Sequence, residues 1–137
     1  MKIVVIDGQG GKIGSMITEL LKQSLQNCRL YAIGTNFAAT NAMLKAGADS
    51  AATGENPVIV ASRDADIIAG PIGIIIADSF LGEVSPEMAN AVCRSRATKV
   101  LIPINKCGIS IAAHELSLTE HIKIAVDRIK SLYTGAV

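Results

Sequence analysis

Apolar positions along the chain follow two alternating rhythms. Ile3, Val4, Val5 and Ile6 form an unbroken β-branched run, the mark of a strand covered on both faces. Ile13, Met16, Ile17, Leu20, Leu21 and Leu25 then recur at helical spacing, with Glu19, Lys22 and Gln23 on the other side. Residues 29–34 predict a second strand. Thr35 or Asn36 is placed to cap a helix running to about Ala46, which Gly47 closes in the usual C-terminal position. A short third strand is expected over 49–53. Asn56-Pro57 is read as the N-cap and first residue of a short helix ending near Ser62.

Residues 66–70 predict a fourth strand, stopped by Gly70-Pro71. The run 72–82 suits either a buried helix or another strand. Ser85-Pro86-Glu87 opens a helix expected to turn Met88, Val92 and Cys93 inward. A fifth strand is expected over 99–104 and a sixth over 109–113. Ser117 and Glu120 have the spacing of a capping box, opening a last helix to about Tyr133. Its stripe of Leu118, Ile122, Ala125, Ile129 and Leu132 serves core packing, with a subunit contact as the alternative.

Strands alternating with helices from the first residue predict an α/β fold with a doubly wound, mainly parallel sheet and helices on both faces. Right-handed crossovers put the first strand beside the fourth, with a ligand crevice where they part. No linker or repeat divides the sequence, and residues 1–137 are expected to form one nucleotide-binding domain.

Composition narrows the class. Half of the 137 residues are apolar, only 3% are aromatic, and the formal net charge is +1. Without a basic face or stacking rings, no nucleic-acid partner is expected. The longest apolar stretch is broken by Gly70, Pro71 and Gly73, so no membrane partner is expected either. Three cysteines, Cys28, Cys93 and Cys107, and no export signal point to a cytoplasmic protein with reduced thiols, Cys28 and Cys93 being small core residues. The apolar fraction is high for this length, which leads us to expect a homo-oligomer, most simply a two-fold dimer.

The chemistry concentrates after the first strand. Gly8-Gln9-Gly10-Gly11-Lys12-Ile13-Gly14 offers glycines where the chain must turn sharply and where a phosphate must approach the backbone. Lys12 is available to neutralise it. The three glycines 8, 11 and 14 follow G-x-x-G-x-x-G, because Ile13 stands where G-x-G-x-x-G has its last glycine. That pattern resembles the loop of extended short-chain reductases and of dihydrodipicolinate reductase-type enzymes, over the first strand, turn and helix alone. Asp7 beside the turn would repel a pyrophosphate unless it caps a backbone N–H.

An acidic residue at the end of the second strand is the usual partner of an NAD ribose. Gly34-Thr35-Asn36 replaces it with neutral hydrogen-bonding groups, so NAD or NADP is possible without either being indicated. Gly34, Thr35, Asn36, Pro71 and Asn105 complete the expected rim. Lys106 and Cys107, at the end of the fifth strand, are the candidates for activating a carbonyl or for nucleophilic attack, against an ordinary turn. Asp78, Ser79 and Glu83 meet the crevice or simply form a polar break. His114 and His121 stand alone, and no metal site is expected.

Four segments resemble a bacterial domain-of-unknown-function family of small Rossmann-like proteins: IVVIDGQGGKIG at 3–14, IGTNFAATNAMLKAGADSAATGENP at 33–57, ADIIAGPIGIIIADSFLGEVSPEMANAV at 65–92 and KVLIPINKCG at 99–108. The resemblance implies a Rossmann-like fold and no assigned activity. Three functions stay open: a nucleotide-binding sensor or accessory module, a small NAD(P)-dependent oxidoreductase working as a homo-oligomer, and a non-enzymatic interaction protein whose glycine turn is only structural.

Overall fold

The computed structural model describes residues 1–106 and 108–136. Among the described residues, five strands form one sheet and five α-helices pack on it: β1 (Lys2–Asp7), α1 (Lys12–Ser24), β2 (Arg29–Gly34), α2 (Phe37–Lys45), β3 (Ser50–Thr53), α3 (Glu55–Ser62), β4 (Ile67–Pro71), α4 (Pro86–Arg94), β5 (Thr98–Ile102) and α5 (Leu118–Thr134). Every pairing is parallel, in the order β3-β2-β1-β4-β5. This is the Rossmann-like order expected from the alternation of elements, with β1 central and the chain reversing its direction across the sheet between β1 and β4.

The alternation of side chains along β1 divides the core. Ile3 and Val5 belong to one cluster with Ile17 and Leu21 of α1, Met43 of α2, and Ile122 and Ile129 of α5. Val4 and Ile6 belong to the other, with Val58 of α3, Met88 and Val92 of α4, and Phe80. Both faces of a parallel strand are thus buried, which its unbroken β-branched sequence requires. The stripe of α5 is core, since Ile122, Ala125, Val126 and Ile129 are all buried in the first cluster.

Several boundaries differ from expectation. The helix α3 starts two residues early: Gly54, at φ 110°, is its N-cap, and Asn56-Pro57 lie within the first turn, where a missing N–H costs no helical bond. β5 stops at Ile102, since Pro103 has no N–H to continue the ladder. Residues 109–113 form no strand. The Ile111 N–H donates to the Asn105 Oδ1 at 2.7 Å, folding this segment back on itself rather than along β5. The ambiguous run 72–82 is neither long helix nor strand but a 3₁₀ turn (Ile72–Ile75) followed by tight turns. Cys93 is exposed, unlike the buried Cys28; the buried stripe of α4 is Met88, Ala89 and Val92, and Cys93 falls beyond its edge.

The crevice follows from register. β1 and β2 pair from Lys2–Arg29 to Asp7–Gly34, but the register of β1 with β4 ends at Val5–Ala69. At the next step Gly70 lies so close to β1 that a Cβ would stand 2.1 Å from the Ile6 carbonyl oxygen. Gly70→Ala is therefore expected to destabilise the protein by about 1–3 kcal/mol, read as a lower urea midpoint; an unchanged midpoint would show that β1 and β4 separate freely here.

Candidate functional site

Asp7, the last residue of β1, organises the glycine turn. It is only 4% exposed. Its Oδ1 accepts from the Gly8 N–H at 2.8 Å and its Oδ2 from the Gly14 N–H at 2.7 Å, so one carboxylate joins the start of the turn to the first turn of α1. Gly11 N–H donates to the Gly8 carbonyl at 2.9 Å within that span. Asp7 is expected to repel a pyrophosphate unless it caps a backbone N–H, and it caps two. Burial pushes the Asp7 carboxyl up to about 6, with the N–H bonds from Gly14 and Gly8 pulling the other way and the charge of Glu83 adding to the rise.

Three of the four glycines have an architectural reason. Gly11 adopts φ 73°, and a Cβ on it would lie 2.7 Å from Ala39 Cα in α2. A Cβ on Gly14 would meet Met43 Sδ at 2.5 Å and Asp7 Cβ at 2.8 Å. Gly8 is crowded by Thr35, Phe80 and Glu83. Gly10 differs: no atom lies within 4 Å of where its Cβ would be, and its φ is not positive. Among the described residues, its N–H and that of Lys12, at the N-terminus of α1, donate to no protein acceptor.

The turn faces a cavity of about 250 Å³ lined by Asp7 to Ile13, Pro71, Phe80, Ile104, Lys106 and Leu118. A second cavity of about 380 Å³ adjoins it, sharing Ile13, Ile104, Lys106 and Leu118 and adding Asn105, His114 and His121 among others. Lys106 is the cation common to both. Among the described residues no cluster of three or more His, Cys, Asp or Glu is arranged to hold a metal, and no helix is long and apolar enough to cross a membrane.

A strap after β4 closes the other side of the turn. Asp78, Phe80 and Leu81 all have positive φ, as does Gly82 at 89°, and Ser79 Oγ donates to the Gly73 carbonyl at 2.5 Å. The strap delivers Glu83, whose Oε1 accepts from the Gln9 N–H at 2.8 Å, the Thr35 hydroxyl at 2.7 Å and the Asn36 Nδ2 at 2.6 Å. Partial burial pushes its carboxyl up, but the hydrogen bonds from Thr35, Gln9 and Asn36 outweigh this and hold it below the usual carboxylate range.

The expected rim is thus divided. Gly8, Gln9, Gly10, Gly11, Lys12, Ile13, Pro71 and Lys106 surround one cavity, and Asn105 lines its neighbour. Gly14 contributes its N–H to Asp7 rather than lining the cavity. Gly34 is a packing residue, since a Cβ on it would meet Thr40 Oγ1 at 2.2 Å. Thr35 and Asn36 lie behind Glu83, and Asn36 also caps α2 through its Oδ1, which accepts from the Ala39 N–H at 2.9 Å. Cys107 lies outside the described residues. Phe80, Ile104, Leu118 and the clasp of Glu83 escaped sequence reasoning: nothing in the spacing ties residue 83 to residues 9, 35 and 36.

The family model described as "Domain of unknown function (DUF3842)" matches residues 2–134. No curated protein matches the chain. Among solved structures, it is similar to a dodecameric FMN-dependent UbiX-like decarboxylase from Escherichia coli O157:H7, at 17% identity and a TM-score of 0.48, covering 95% of this chain and 76% of that one.

The Asp7 carboxyl makes stability depend on pH. Its value of about 6 in the fold exceeds the ordinary 3.8, so the fold favours the protonated form. The contribution is complete below about pH 3.8 and is lost as pH rises to about 6. Relative to Asp7→Asn, the wild type is expected to lose on the order of 3 kcal/mol of unfolding free energy across that window. Denaturant titrations at several pH values check this, and parallel profiles for the two proteins would refute it.

Proposed function

The chain belongs to the DUF3842 family, a domain of unknown function, and we propose that it binds a phosphate-bearing nucleotide where β1 and β4 part. Gly10 carries this reading. Neither backbone conformation nor packing demands a glycine there, whereas a phosphate approaching the turn does. The free N–H groups of Gly10 and Lys12, at the positive end of the α1 dipole, supply donors, and Lys12 and Lys106 supply charge beside the same cavity. Asp7, with both oxygens already accepting N–H bonds, stiffens the turn.

The remainder of the ligand extends into the adjoining cavity past Ile104 and Leu118. NAD and NADP are the cofactors to test first. A reductase reading has one observation in its favour: Lys106 lines both cavities, within reach of a carbonyl held between them. A sensor or accessory role needs binding alone. The expected homo-oligomer draws support from the exposed apolar side chains of Phe37, Leu44 and Leu81. Sedimentation at micromolar concentration is expected to give a species larger than the monomer, and a single monomeric species would remove that part of the proposal.

A thermal-shift panel of NAD, NADH, NADP, NADPH, AMP, GMP and FMN tests the site. A ligand at about 100 times its Kd adds about 2.7 kcal/mol, a shift of several degrees. Gly10→Val has room for its side chain and is expected to keep the wild-type midpoint while losing the ligand shift. Lys106→Met is expected to weaken binding. The chain has no Trp, so NADH fluorescence can follow binding, and its decay with small aldehydes would reveal turnover. No shift with any nucleotide, or an undiminished shift in Gly10→Val, would overturn the assignment.

A further inference from the structure

In parallel sheets that bind dinucleotides, an acid at the end of the second strand accepts the ribose hydroxyls of the adenosine half. The sequence has no acid there: β2 ends in Gly34, followed by Thr35 and Asn36. The fold nevertheless puts a carboxylate at that place, and it comes from the strap after β4. Glu83 Oε1 is held by the Gln9 N–H, the Thr35 hydroxyl and the Asn36 amide, at 2.6–2.8 Å. These three donors come from the glycine turn and from the end of β2, the two segments between which the adenosine ribose of a dinucleotide lies.

We propose that Glu83 is the ribose-reading residue of this site, and that the ligand is an adenosine-bearing dinucleotide whose 2′-hydroxyl is free. This rests on the phosphate position proposed above at Gly10. Only one carboxylate oxygen is used inside the protein. Among the described residues nothing donates to Oε2, which leaves an acceptor for a hydroxyl donor. Nor does any Lys or Arg among them form an ion pair with Glu83. A 2′-phosphate placed there would face a negative charge that no ion pair among the described residues compensates.

The strap is built to hold this position. Asp78, Phe80 and Leu81 stay in a backbone region that non-glycine residues rarely occupy, a cost retained where the surroundings enforce it. Here Ser79 is tied to Gly73, and Phe80 packs against Gly8 and Gly73. The result carries a side chain from beyond β4 back over the turn to β2.

Titration calorimetry of the full chain with NAD and with NADP tests the proposal, using wild type, Glu83→Ala, Glu83→Gln and Gly10→Val. Unfolding midpoints serve as the folding control. The wild type is expected to bind NAD at least about tenfold more tightly than NADP. Glu83→Ala is expected to lose about tenfold in NAD affinity, the scale of one hydrogen bond to a charged group. Glu83→Gln keeps an acceptor for the three donors but removes the charge. It should retain most NAD affinity and narrow the gap to NADP, so the inference does not depend on the alanine variant keeping its strap. NAD binding in both Glu83 variants as tight as in wild type, or tighter, would overturn the proposal and make Glu83 a plug over the end of β2. Equal wild-type affinity for NAD and NADP would overturn it as well. If Gly10→Val loses NAD while both Glu83 variants keep it, the phosphate site stands and only the ribose assignment falls. If wild type binds neither dinucleotide, the ribose assignment falls, and the nucleotide panel decides the fate of the phosphate site.

Discussion

A single buried carboxylate holds the working end of this molecule together. Asp7 accepts one N–H from the residue that leaves β1 and another from the first turn of α1, so the glycine turn is clamped at both ends from below. Burial of Asp7 strengthens each bond and at the same time penalises the charge that makes it. The turn can then present its upper N–H groups outward, because its lower ones are already satisfied. The placement of Lys12, the close approach of α1 to α2 at Gly11 and Ala39, and the floor of the smaller cavity all follow from that clamp.

The second carboxylate, Glu83, does the opposite job at the same turn. Asp7 is buried beneath the backbone and belongs to the architecture. Glu83 is half-buried above it and, among the described residues, has no partner for its second oxygen. Two acids about one glycine turn would be unfavourable if both were charged and unsolvated. Their environments differ: burial raises the first to about 6, and three hydrogen bonds hold the second below the usual carboxylate range.

Much of the scaffold was legible in the residues. The unbroken run at Ile3–Ile6, the stripe of α1, the Asn36 cap, Gly47 and the Ser117–Glu120 box all act as their patterns imply, because each depends on neighbours within a few positions. Local pattern and structure diverge where distant contacts decide. Residues 109–113 have a strand-like composition, but Asn105 turns them away from β5. The run 72–82 reads as regular structure, yet its path is set by Phe80 packing on Gly8 and Gly73. Gly8 to Ile13 and Pro71 of the expected rim assemble around one cavity. Thr35 and Asn36 are instead held by Glu83, a contact across 47 residues from Asn36 that periodicity cannot encode.

The strand order also sets a timetable. β1 leaves the ribosome first, yet one of its two edges stays unpaired until β4 has been made, since Ile3 to Val5 meet Ile67 to Ala69. At synthesis rates of about 5–20 residues per second, that edge waits for several seconds. During this interval a strand with four consecutive β-branched residues has its backbone open to any passing partner, and α1 is the local element on hand to cover one of its faces. An order that places the first strand at the centre thus gives the nascent chain a period of vulnerability that ends only when β4 is in place.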